Sequence, residues 1–89
     1  MKRDSDIIDV IFRKHRDGEV IAFFPNDVFG NGMILSYSHN GQHSEASLEF
    51  YGECKPCRDK EEYKDLFHEL ARNYGCFLRI RQRLSRYRK

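Results

Sequence analysis

The chain predicts a small α+β domain: a two-layer sandwich in which an antiparallel sheet of about four strands carries one helix on one face. Three observations predict it. β-branched and aromatic runs separated by turn residues fill the first half, one amphipathic helical stretch follows, and a last alternating run comes after it. One helix has one apolar stripe and needs one sheet to cover it, so the order β-β-β-(β)-α-β resolves into two layers.

Ile7 to Lys14 and Glu19 to Phe24 are the first two strands, joined through Asp17-Gly18, a strong hairpin signal. In the first, Ile8, Val10 and Phe12 share a face. In the second, Val20, Ala22 and Phe24 alternate with Ile21 and Phe23, so both faces are apolar and the strand reads as central. Pro25-Asn26-Asp27 and Gly30-Asn31-Gly32 are turn chemistry around Val28-Phe29. Met33 to His39 is the third strand, with Met33, Leu35 and Tyr37 opposite Ile34, Ser36 and Ser38. Asn40 to Ser44 reads as a polar turn, and Ser47 to Tyr51, with Leu48 and Phe50 on one side, as a short fourth strand.

Asp59 stands three residues before Glu62, the spacing of a capping box, and predicts a helix start. Tyr63, Leu66, Phe67, Leu70 and Tyr74 recur on one helical face, and Gly75 sits where a left-handed C-cap belongs. Cys76 to Gln82 is the last strand, Leu78 and Ile80 inward, Phe77, Arg79 and Arg81 outward.

With 89 residues there is room for one core, assigned to residues 1–82, followed by a basic tail over 83–89. From Arg79 onward stand six of the 16 basic residues and none of the 14 acidic ones, so the body is acidic and the C-terminus strongly basic. That asymmetry points to a partner with negative charge. Three cysteines, and no long apolar run after Met1-Lys2-Arg3-Asp4, suggest neither a disulfide framework nor a signal peptide, and fit a soluble protein of the reducing cytoplasm.

Three constellations could carry chemistry. Arg79, Arg81, Arg83, Arg86, Arg88 and Lys89, with Tyr87 as a ring able to stack on a base, suit phosphate and nucleobases; the bland alternative is a solvated terminus. His39 and His43 with Cys54 and Cys57 form a possible zinc set, against which stand the long gap between the pairs and the plain-turn reading of Lys55-Pro56. Cys54 or Cys57 with His43 could form a nucleophile and base, but no orienting third residue is legible. His15 and His68 read as a turn residue and an exposed helix residue, and Cys76 as a small buried hydrophobe.

The segments Val10 to Lys14, Asp17 to Pro25, Ser36 to His43, Glu61 to Leu66 and Leu78 to Arg83 together resemble a family of small uncharacterised bacterial proteins often carried on mobile elements. The resemblance covers most of the chain, implies the same element order, and implies no activity. It draws attention to Tyr37, His39, Gln42 and His43 as a polar site or a hydrogen-bonded turn, and the cysteine pair is not part of the family pattern.

The expected function is a noncatalytic binding or accessory module that contacts nucleic acid through its arginine-rich C-terminus. The alternative is a protein-interaction module presenting a sheet edge or the acidic helix face, and a small zinc domain or enzyme ranks third.

Overall fold

The computed structural model describes residues 7–38, 42–74 and 77–82. In chain order these form β1 (Ile7–Lys14), β2 (Val20–Val28), β3 (Met33–Ser38), β4 (Gln42–Ser47), α1 (Leu48–Glu53), β5 (Lys55–Pro56), α2 (Lys60–Tyr74) and β6 (Phe77–Ile80). The α+β class holds: an antiparallel sheet in the order β4-β3-β2-β1-β5 carries a helix against it. β6 adds to the same edge of β1 as β5, but in parallel. It pairs with Ile7–Val10, while β5 pairs with Arg13 and Lys14.

Alternation along the central strands builds two cores. Val10, Phe12, Ala22, Phe24 and Tyr37 pack with Tyr63, Leu66 and Leu70 of α2, and Ile8, Leu78 and Ile80 flank them. The Phe12 and Tyr63 rings stack 4.5 Å apart. On the opposite face Ile11, Ile21, Phe23 and Ile34 pack with Tyr51 of α1 and with Cys54. β2 is central and apolar on both faces because each face has a helix to cover it.

The two hairpin turns among the described residues have the three-residue form that ends in a left-handed glycine. His15 accepts from the Gly18 amide and donates to Glu19, and Phe29 does the same with Gly32 and Met33. Gly18 and Gly32 have φ of +95° and +82°, a region that favours glycine.

The structure corrects three local expectations. Pro25, Asn26 and Asp27 are not a turn but lie within β2, which advances from Phe23 to Val28 while β3 advances only from Ser36 to Ile34. A bulge of this kind accommodates a proline inside a sheet. The fourth strand is Gln42–Ser47, which includes part of the expected polar turn. The Leu48–Tyr51 stretch expected as strand is instead α1, capped by Ser47, whose Oγ accepts from the Phe50 amide at 3.0 Å. As a helical turn the segment brings Leu48, Phe50 and Tyr51 all to the sheet, where a strand would split them between faces.

α2 starts after Asp59, whose Oδ1 accepts from the Glu61 amide at 3.1 Å. Glu62 does not complete the expected box; its carboxylate holds Lys14 at 2.8 Å, tying α2 to the end of β1. Gly75 and Cys76 lie outside the described residues.

Candidate functional site

β1 carries one acid in the middle of an apolar run, and parallel pairing with β6 gives it its partners. Asp9 stands in register with Arg79, and their side chains lie on the α1 side of the sheet. Asp9 is 6% exposed. Arg79 Nε donates to its Oδ1 at 2.6 Å, Arg79 Nη2 and Arg81 Nη1 to Oδ2 at 3.4 and 3.2 Å, and Asn26 Nδ2 to Oδ2 at 3.3 Å. The hydrogen bond from Arg79 holds the carboxyl below its ordinary range. Burial opposes it, and the two positive charges with Asn26 add to the lowering.

The carboxylate thus acts as a bracket that fixes two guanidinium groups side by side on an edge strand. Both stay partly in solvent, with side chains 60% (Arg79) and 38% (Arg81) exposed. Two residues before Arg79 on the same face, Phe77 is 76% exposed, and its in-register neighbour Ile7 is 47% exposed. Of the residues the sequence nominated for nucleic-acid contact, Arg79 and Arg81 are therefore brought together, while Arg83, Arg86, Tyr87, Arg88 and Lys89 lie outside the described residues.

The other nominated groups fall elsewhere. Tyr37 is buried on the α2 side, its hydroxyl donating to Glu69 Oε2 at 2.6 Å and accepting from Asn73 Nδ2 at 2.9 Å. His43, exposed on the edge strand β4, lays its ring 4.8 Å from that of Tyr37. Gln42 opens β4 opposite Ser38, and His39 lies outside the described residues. Tyr37 and His43 are thus joined, as part of the packing between sheet and α2.

Cys54 and Cys57 are both buried but point to opposite faces, Cys54 into the α1 core and Cys57 into the α2 core. The two-residue β5 between them sets this alternation. Burial pushes both thiols up, Cys57 to about 11. Among the described residues no three His, Cys, Asp or Glu side chains are grouped to hold a metal. His15 lies in the first hairpin turn with its ring 4.9 Å from Phe50, and His68 is exposed on α2.

A second cationic cluster lies at the other end of β1's edge. Lys14, Arg16 and Lys55, with His15, Pro56, Glu53 and Glu62, line an open cleft of about 440 Å³. Glu62 raises the Lys14 pKa through its hydrogen bond and its charge. Lys14 contacts Glu62 of α2 and stands in register with Lys55, and Glu53 of α1 lines the same cleft, so it lies at the sheet edge, at the opposite end of β1 from Arg79 and Arg81.

Sequence reading missed Asp9 and Phe77 as site residues. The signal for Asp9 was legible: a lone acid at the centre of Ile7-Ile8-Asp9-Val10-Ile11-Phe12 must find a cation when buried. The signal for Phe77 was absent, because alternation assigns it to a face without telling whether anything covers that face.

No helix among the described residues is long and apolar enough to cross a membrane. Comparison with protein-family models, with curated proteins and with solved structures found no match to the chain.

Proposed function

We propose that the protein is a noncatalytic binding module that contacts nucleic acid along β6 and the basic segment that follows it. The observation that carries this reading is the Asp9 bracket, which presents Arg79 and Arg81 together on a solvent-facing edge leading directly into Arg83, Arg86, Tyr87, Arg88 and Lys89. Paired guanidinium groups match phosphate oxygens, and a run of cations beyond them adds affinity through counterion release. The unbridged thiols Cys54 and Cys57 support a reducing cytoplasm as the setting, and the resemblance supports a bacterial, mobile-element context.

A protein-interaction module is the second reading, favoured by the exposed Ile7 and Phe77 beside an edge strand. Salt separates the two. Fluorescence anisotropy of labelled single-stranded DNA, duplex DNA and RNA is measured against the full chain and a chain ending at Gln82, at low and moderate salt. Binding that weakens steeply with salt and with loss of the last residues supports the nucleic-acid reading. No binding to any of the three at low salt overturns it.

A further inference from the structure

Resting on the nucleic-acid reading, we propose that the β6 edge binds single strands, with Phe77 as the platform on which an unpaired base stacks. Single exposed apolar residues are ordinary on protein surfaces. Phe77 differs in its placing: a 76% exposed ring, backed by Ile7 in register, shares one strand face with Arg79 and Arg81. Phe77, Arg79 and Arg81 follow at alternate residues, and Asp9 gathers the two guanidinium groups beside the ring's face of the strand.

Duplex bases rise about 3.4 Å per step with their faces covered by neighbours. An exposed ring on a strand face can meet a base face only where the base has left its stack, as in an extended single strand. Against a duplex the same edge offers phosphate contacts alone, and Phe77 contributes nothing.

The test uses Phe77→Trp and Phe77→Ala. The chain has no tryptophan, so Phe77→Trp introduces a single indole reporter at the platform. Because Phe77 is largely exposed, neither change disturbs the cores. Titration of Phe77→Trp with a 12-nucleotide oligo(dT) is expected to quench its fluorescence to saturation. Phe77→Ala is expected to weaken that oligonucleotide's affinity about tenfold, the scale of one lost base stack, while affinity for a 12-base-pair duplex stays within about twofold.

Equal single-strand affinity for Phe77→Ala and the parent chain overturns the stacking platform and leaves the nucleic-acid reading standing. Unchanged indole fluorescence while anisotropy reports binding does the same. Failure of every oligonucleotide to bind the full chain at low salt overturns both, and self-association abolished by Phe77→Ala would then assign the patch to a second copy of the chain.

Discussion

Asp9 and Arg79 stand in register across the parallel pair of β1 and β6, with Arg79 Nε 2.6 Å from Asp9 Oδ1. This contact joins residues 70 positions apart and attaches β6 to the sheet beyond its four backbone partners. Asp9→Ala leaves both guanidinium groups without the carboxylate. Charge-assisted hydrogen bonds contribute about 1.5–3 kcal/mol, and the partial exposure of both arginines lowers this to an expected loss of about 1–2 kcal/mol. Urea unfolding measures it; a change below about 0.3 kcal/mol would mean that the bracket does not hold the strand.

The same carboxylate gives a pH dependence. Its folded-state pKa lies below the ordinary 3.8, so the unfolded chain binds the proton more readily. The contribution is therefore complete above 3.8 and is lost as pH falls through the folded value. The stability gap between the parent chain and Asp9→Asn is expected to be constant from about pH 7 to 5 and to close in stronger acid. A gap that widens on acidification would contradict the assignment.

Two covered faces predict two sets of costly truncations. Leu66→Ala on the α2 side and Phe23→Ala on the α1 side, both at fully buried positions, are each expected to remove roughly 3 kcal/mol or more. Thermal unfolding checks both. If Phe23→Ala were as mild as a surface change, α1 would not be covering a core.

The glycines discriminate conformation from space. A Cβ at Gly18 or Gly30 meets nothing within 4 Å, but only Gly18 of the two has positive φ. Gly18→Ala is expected to destabilise by about 1–2 kcal/mol, and Gly30→Ala to be neutral within about 0.5 kcal/mol. Chemical denaturation of the two variants makes the comparison.

The buried thiols predict slow chemistry. With Cys57 pushed up to about 11 and Cys54 also raised, little thiolate exists near pH 8 and neither sulfur is accessible. Peptide-resolved alkylation is expected to modify both positions slowly in the native protein and rapidly in urea. Fast native labelling of either would contradict the packing described for it.

The sheet and α2 were legible because long periodic runs leave little choice: Ile8, Val10 and Phe12 face Leu66 and Leu70 as alternation requires. α1 was not, since in a six-residue helix the 3.6 period has no room to separate itself from alternation, and Leu48 and Phe50 satisfy both. The turn at Pro25 failed for a different reason. Proline and asparagine favour turns locally, but a bulge between β2 and β3 holds them inside a strand, and bulges depend on the partner strand. For the site, Arg79 and Arg81 were found by their charge. Their bracket needed the parallel pairing of β6 with β1, a long-range fact that local pattern does not carry.

The most direct test of the central claim is a two-dimensional NMR titration of the full, isotope-labelled chain with single-stranded DNA at low salt. Amide shifts are expected to concentrate at Ile7–Val10 and Phe77–Gln82, with the Arg79 and Arg81 side-chain signals moving alongside them. Shifts confined to the Lys14, Arg16 and Lys55 cleft, or none at all, would contradict it.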